Sequence, residues 1–383
     1  MTKSKILFLD HTPFVGGAQL ALVRHLNLLD LERFDPVVVS SDPDFFSRSV
    51  KVERRPFVKV MRHSFGRLRI LRPSSAASFI FSSFFLLLTT MRERPRIIVA
   101  NTERCFYAAF LSVLVLRKPL VLFVRDFEFS KRLITLLRPW VSFYVCVSKA
   151  IRNYYFDADQ KKASVIYVGT DLGDQLRLVK ESEIEDLRQK FNLREEFIIG
   201  FVGRLVDWKG PLILVDIAKI LSDFGSNIPS WRIVVVGEGA GQAGNIEKEL
   251  RQSITDQGLG GYFSLVGFSN ELPVWYKIFS VLLHTSRKAE PFATVVVESL
   301  TSSVPVIAIN LGGSKEVIVN GQNGFLVDYS AQAFVKAILG LMKDQGSYPR
   351  LSERARISAS PFREADITGK IEDVYDRVLG GLK

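Results

Sequence analysis

Short runs of Val, Ile, Leu and Phe recur along the chain, and one helical stretch separates each run from the next. In the first half the runs fall at 6–10, 36–40, 96–101, 120–125 and 143–148. They show little polar alternation, which is the signature of strands covered on both faces. Helical patterns lie between them at 18–30, 74–92, 104–116 and 129–139, with Pro95, Pro119 and Pro139 punctuating their ends. A parallel strand pair needs a crossover, and a helix supplies it. The alternation therefore predicts a doubly wound α/β domain. Residues 170–196 break the pattern: they are polar and acidic, with one helix predicted at 181–191, and read as a connection. A second series then predicts strands at 197–202, 232–236, 263–266, 281–284, 304–308 and 324–327. Its helices are predicted at 210–223, 244–256, 271–278, 294–302, 314–318 and 331–343, with an amphipathic helix at 366–382.

A chain of 383 residues has room for two such domains. Its net charge of +11 is unevenly placed. Residues 1–170 hold 27 Lys and Arg against 13 acids, and residues 171–383 hold 24 against 27. The excess belongs to the first half, where 48–72 alone carries nine cations and one acid, Glu53. An aromatic, apolar stretch follows directly, with Phe79, Phe81, Phe84 and Phe85. A basic patch beside such a stretch suits an anionic membrane surface, so residues 48–91 are the expected membrane contact. The alternative is a core helix with solvated cations. The apolar run 76–91 is shorter than the roughly 20 residues of a spanning helix. With no signal-peptide pattern at the start, the expectation is a cytoplasmic protein, peripheral on the inner face of the membrane. Two cysteines, Cys105 and Cys146, exclude a disulfide scaffold or a zinc cluster, and the four histidines show no metal spacing.

Three segments of the second half carry chemistry. In 201–210 a strand ends on Gly203, and Arg204 and Lys209 follow before a helix. That places two cations at the carboxyl end of a parallel strand, where a diphosphate could sit; a solvated surface turn is the plainer alternative. In 290–298 Glu290 lies in a loop and Glu298 about one turn into the next helix. A carboxylate accepts paired sugar hydroxyls, and the backbone N–H groups of Phe292, Ala293 and Thr294 at the helix start favour an anion. Against this stands a capping acid with a solvated helix acid. In 310–327 a Gly312-Gly313 turn and a short helix lead to an Asn-Gly turn and a strand. Val236-Gly237-Glu238-Gly239 reads as a glycine-rich phosphate loop without the dinucleotide fingerprint. Walker, kinase, G-x-S-x-G and H-E-x-x-H signatures are absent.

Taken in order, Gly203-Arg204 with Lys209-Gly210, Val236-Gly237-Glu238-Gly239, Val266-Gly267-Phe268, Ser286, Glu290-x7-Glu298, Pro305–Ala308, Gly312-Gly313 with Glu316, and Gly324–Val327 resemble the family 4 retaining glycosyltransferases, glycosyl transferases group 1. The resemblance implies a GT-B fold: two Rossmann-like domains facing a cleft, residues 1–170 binding the acceptor and 190–361 the nucleotide sugar, with 362–383 returning to the first domain. It implies a nucleotide-diphosphate sugar as co-substrate, no metal, and no other cofactor. By analogy Arg204 and Lys209 hold the diphosphate, Glu298 the ribose hydroxyls and Glu290 the sugar hydroxyls. Gly237, Phe268, Phe292, Ala293 and Thr294 complete the donor site. The family usually has Gly where this chain has Ala293, which adds a methyl beside the sugar.

In the first half, Gly16-Gly17 follows the first strand and opens a helix, which suits close approach to a phosphate. The family carries a Gly-Gly there, near the donor phosphate. Arg125 and Asp126 end a strand where the family often has His near the reacting centre. With Glu290 they are the catalytic candidates; the competing reading is an ion pair between strand-end neighbours. Arg125 cannot serve as a base near neutral pH, yet it can stabilise a leaving phosphate. The function implied is sugar transfer to a hydroxyl of a glycolipid or polysaccharide precursor. Two readings stand beside it. One is a non-catalytic GT-B subunit. The other is a nucleic-acid-binding protein, which the absence of any recognisable module disfavours.

Overall fold

The computed structural model describes residues 3–12, 16–50, 58–59, 73–157, 161–194, 196–239, 244–344 and 346–381. Most of the basic stretch 48–72 thus lies outside the described residues, as do 13–15 and 240–243 of the two glycine-rich loops. Two compact units result: Met1–Gly169 with Glu364–Lys383, and Thr170–Arg363.

The first unit holds a parallel sheet of seven strands: β1 (Ser4–Asp10), β2 (Phe34–Ser40), β3 (Val58–Lys59), β4 (Ile97–Ala100), β5 (Leu120–Val124), β6 (Phe143–Cys146) and β7 (Ala163–Val165). Their order is β3-β2-β1-β4-β5-β6-β7. Ile97–Ala100 and Leu120–Val124 are buried at every position, which is why they read as unbroken apolar runs. The sequence predicts five strands here. β3 is two residues long, and β7 is a half-buried edge strand, so neither leaves a continuous apolar run. The Glu364–Gly380 helix belongs to this unit. Its Ile367, Ile371, Val374, Tyr375 and Val378 join Ile6, Phe8, Leu22, Leu26 and Val99 in one core. The buried His25 ties the two ends of the unit: Nδ1 meets Thr368 Oγ1 at 3.2 Å and Nε2 meets Tyr375 Oη at 3.0 Å.

The second unit holds six parallel strands: β8 (Phe197–Val202), β9 (Trp231–Val236), β10 (Phe263–Gly267), β11 (Val281–His284), β12 (Val306–Ile309) and β13 (Gly324–Val327), ordered β10-β9-β8-β11-β12-β13. All six match the predicted runs to within two residues at each end. Residues 170–196, read from sequence as a connection, are part of this unit. Glu181, Glu183, Glu185 and Asp186 lie on the water side of the Glu181–Lys190 helix, which buries Leu187; just beyond it, Phe191 sets its ring on the buried Trp275 at 5.2 Å. The Leu172–Leu176 and Tyr348–Ser358 helices were not predicted. The first spans five residues, and the second buries only Leu351 and Ala355 in a charged sequence.

In each sheet the strand order reverses once, between β1 and β4 and between β8 and β11. Helices leave such a pair on opposite faces, which opens a crevice at the carboxyl ends of the two strands.

Candidate functional site

The reversal in the second unit carries a dense polar network. β8 ends at Val202, and the turn that follows brings Lys209 back over the end of β11. Lys209 Nζ donates to both oxygens of Glu290, at 2.7 and 2.8 Å. Its backbone is fixed as well: Thr285 Oγ1 donates to Lys209 O at 2.8 Å, and Arg287 N to Trp208 O at 2.8 Å. His284, the last residue of β11, donates from Nε2 to Glu290 Oε1 at 2.8 Å. Ser286 Oγ donates to the same oxygen. Ser314 Oγ lies 3.3 Å from His284 Nδ1 and fixes the far side of the ring.

Glu290 is only 8% exposed. Burial alone would push its carboxyl up, but the hydrogen bond and charge of His284 and the Lys209 ammonium outweigh it. They hold the carboxyl well below the usual carboxylate range. Glu290 is therefore an anion whose Oε1 already accepts from three protein donors. Among the described residues Oε2 accepts from Lys209 alone, and a carboxylate oxygen has two lone-pair directions. One acceptor direction of Oε2 thus remains for a ligand hydroxyl.

The Gly312-Gly313 turn, which reads in sequence as ordinary loop chemistry, is the seat of this carboxylate. Gly313 N donates to Glu290 O at 2.9 Å. A Cβ on Gly312, whose φ is +62°, would lie 2.7 Å from both the nitrogen and the oxygen of Glu290. Only glycine fits there. Gly237 is similarly confined: at φ +140° its Cβ would fall 1.9 Å from Gly203 O, so the ends of β8 and β9 touch as bare backbone.

The other predicted donor residues stand as follows. Arg204 is exposed and, among the described residues, has no ion-pair partner. Glu298, half-buried, accepts from the buried Tyr276 Oη at 3.2 Å. Phe292 and Ala293 are buried, and Ala293 caps the eight-residue Thr294–Thr301 helix with its backbone, without a side-chain cap. Phe268 is exposed just beyond β10. The structure joins Lys209 to Glu290 directly, 81 residues apart in sequence.

The reversal in the first unit has a different character. Asp10 ends β1 and accepts from Gln19 Nε2 at 2.7 Å and Asn101 Nδ2 at 3.0 Å. The guanidinium of Arg125 donates from Nε to Asn101 O at 2.9 Å and from a terminal nitrogen to Asn101 Oδ1 at 2.8 Å. It rests 4.8 Å over the Phe123 ring. The expected alternative, an ion pair with Asp126, is not formed among the described residues; Asp126 instead accepts from Glu128 N at 2.8 Å. Glu103, 1% exposed, accepts from Arg125 N at 2.8 Å. Burial and the neighbouring Asp126 push its carboxyl up to about 8. Gly16 caps the Gly17–Leu28 helix with extended backbone, where a Cβ would lie 3.2 Å from Oε1 of the buried Gln19; a Cβ on Gly17 would meet nothing within 4 Å, so position 17 does not require glycine for the fold.

Sequence reasoning missed His284, Ser314, Tyr276, Asp10, Asn101 and Glu103. The available signal was positional: His284, Asp10 and Asn101 all sit at the carboxyl ends of strands that flank an order reversal. Among the described residues no group of His, Cys, Asp and Glu could hold a metal ion.

Comparison with known proteins places this geometry. Residues 183–358 match the family described as glycosyl transferases group 1. That segment contains the whole Lys209–Glu290–His284 network. The Bacillus subtilis spore coat protein SA is 28% identical over 231 residues, 58% of this chain and 60% of that relative, so the match spans about three fifths of its length. An Escherichia coli UDP-Gal:alpha-D-GlcNAc-diphosphoundecaprenol alpha-1,3-galactosyltransferase is 23% identical over 397 residues, covering 98% of this chain and 97% of that enzyme. Among solved structures, Anabaena Alr3699/HepE in complex with UDP superposes with a TM-score of 0.81 at 26% identity, over 97% of this chain and 100% of that one. The chain therefore has the GT-B fold, and residues 183–358 of its second unit match the glycosyl transferases group 1 family.

Proposed function

We propose that the protein is a retaining glycosyltransferase that moves a sugar from a nucleotide-diphosphate donor to a hydroxyl of a membrane-associated glycolipid or polysaccharide precursor. The observation that carries this reading is the Lys209–Glu290 pair, seated on Gly312-Gly313 at the β8/β11 reversal. Such a crevice takes a ligand that presents hydroxyls to the open direction of Oε2 and phosphates to the cations beside it. Lys209 is largely neutralised by Glu290, so Arg204 supplies the uncompensated positive charge for the diphosphate. The two cations and the start of the Thr294–Thr301 helix stabilise the leaving diphosphate without a metal. Glu298 takes the ribose hydroxyls, and Gly237, Phe268, Phe292, Ala293 and Thr294 line the donor site.

In the transfer step the bond from the anomeric carbon to the acceptor oxygen forms as the bond to the phosphate oxygen breaks. The acceptor proton passes to the leaving phosphate, and the new bond lies on the face that the old one left. Arg125 and Asp126 serve the acceptor, and Gly16-Gly17 acts as a phosphate-binding turn. The two whole-length likenesses, to an enzyme named for UDP-Gal and to a protein solved with UDP, favour a UDP-sugar. The diphosphoundecaprenol in that enzyme's name favours a lipid-linked acceptor, hence work at the cytoplasmic face of the membrane.

The test is a thermal-shift screen of UDP-, GDP- and dTDP-sugars with and without chelator, followed by anomeric analysis of the product. A UDP-sugar should raise the unfolding midpoint in chelator and give a product of unchanged anomeric configuration. Stabilisation by none of the three, or an inverted product, would overturn the reading.

A further inference from the structure

The Pro73–Glu93 helix of the first unit is inside out. A helix on an α/β sheet ordinarily turns its apolar stripe to the core and its polar stripe to water. Here Ser82, Ser83, Thr89 and Thr90 are buried with Leu86, while Ile80, Phe81, Phe84, Leu88 and Met91 are each 50–66% exposed. The spacing 80, 81, 84, 88, 91 follows the helical turn, so the five make one stripe. The hydroxyl stripe packs on the neighbouring Glu103–Leu116 helix: Thr90 Oγ1 donates to Leu86 O at 2.7 Å and lies 3.2 Å from the buried Ser112 Oγ. Small hydroxyl residues between helices and bulky apolar residues outside is how helices pack in lipid. The last turn of the neighbouring helix exposes Leu114 and Val115 as well. Contiguous apolar exposure of this kind marks a surface that binds something.

Charge selects what covers it. Arg92, Arg94 and Arg96 end or follow the inverted helix, and Arg117 and Lys118 follow its neighbour. The acids in the two helices are Glu93, paired with Lys5 at 3.2 Å, and the buried Glu103. In sequence, the nine cations of 48–72 come immediately before. A second copy of the same face would bring these cations against one another, whereas anionic headgroups would match them. Among the described residues no helix is long and apolar enough to cross a membrane. We propose that the Pro73–Glu93 helix lies flat in the interface of an anionic bilayer, with Phe81, Phe84 and Leu88 inserted and the flanking arginines at the phosphate level. This rests on the membrane-bound acceptor of the preceding reading and gives it a surface.

The experiment is flotation of the full chain with phosphatidylcholine vesicles, with and without phosphatidylglycerol, at low and high salt. UDP-sugar binding is measured on the same samples. The wild type should float with the anionic vesicles and release in salt. Combined Phe81→Ser, Phe84→Ser and Leu88→Ser should weaken vesicle binding roughly a hundredfold while leaving the fold and nucleotide binding intact, because these side chains face water. Arg92→Gln with Lys118→Gln should weaken it about tenfold. A wild type that does not float, a triple variant that floats equally, or a chain that dimerises through this stripe without floating would each overturn the proposal. Nucleotide binding without flotation breaks the docking and leaves the transferase reading standing; flotation without nucleotide binding does the reverse.

Discussion

At the β8/β11 reversal Glu290 is surrounded by donors from Lys209, His284 and Ser286 and stays an anion. At the β1/β4 reversal Glu103 is buried as deeply but has a carboxylate neighbour, Asp126, and its charged form is disfavoured. The two sheets place their crevices by the same rule and fill them with opposite electrostatics. Burial pushes both carboxyls up; at Glu290 the donors and cations beside it outweigh burial, and at Glu103 the backbone donors beside it do not. The second unit has an anion ready to accept hydrogen bonds at any pH above the acid range. The first unit holds a proton that neutral pH leaves largely in place.

The largest expected effect tests the second network. Lys209→Ala or Glu290→Ala should lower sugar transfer by about 10²–10³-fold or more, since each removes a charged group from the crevice. Circular dichroism should report an intact fold, and full turnover in both variants would break the assignment. The next effect separates the two glycine-rich turns. Gly237→Ala should destabilise the second unit by more than about 2 kcal/mol, because its Cβ would overlap Gly203 O. Gly17→Ala, where the added carbon meets nothing within 4 Å, should stay within about 0.5 kcal/mol. Equal losses in denaturant titration would remove the contrast.

The smallest effect is a slope with pH. Glu103 keeps its proton in the fold up to about 8, while the unfolded chain releases it near 4.5. The folded state then binds more protons, so the first unit loses stability as pH rises, by about 1.4 kcal/mol per unit. Burial holds His25 down at about 3 and His11 at about 4, below their ordinary 6.5, so both are neutral in either state above pH 6.5 and oppose the slope only below it. Between pH 6.5 and 8 these two histidines no longer oppose the decline. The second unit should show none, because lowering Glu290 adds stability that is complete above pH 4.5 and is lost on acidification. Hydrogen exchange in denaturant resolves the two units, and Glu103→Gln should flatten the slope of the first.

Fully buried strands such as β5 and β11 were legible because both faces demand apolar residues, leaving no ambiguity of pattern. The motif order likewise drew Lys209, Glu290 and Gly312-Gly313 to attention, but not that the first two are ion-paired or that the third is their seat. Such contacts join residues far apart in sequence, and no local pattern encodes them. His284 was dismissed for lack of metal spacing, although its partner is a carboxylate. The inverted helix escaped for another reason. Its apolar residues keep the helical period whichever side they face, so periodicity reveals a stripe without saying what the stripe touches.

The Glu364–Gly380 helix has a consequence for biosynthesis. Tyr375, Ile371 and Ile367 complete a core that also holds Ile6 and Phe8, which precede them in the chain by about 360 residues. The amino-terminal unit must wait, with that apolar seam open, until synthesis has passed residue 380. The second unit, continuous from Thr170 to Arg363, can close on itself as soon as it emerges. On a ribosome the later unit should fold first, and the earlier one should be the client of chaperones.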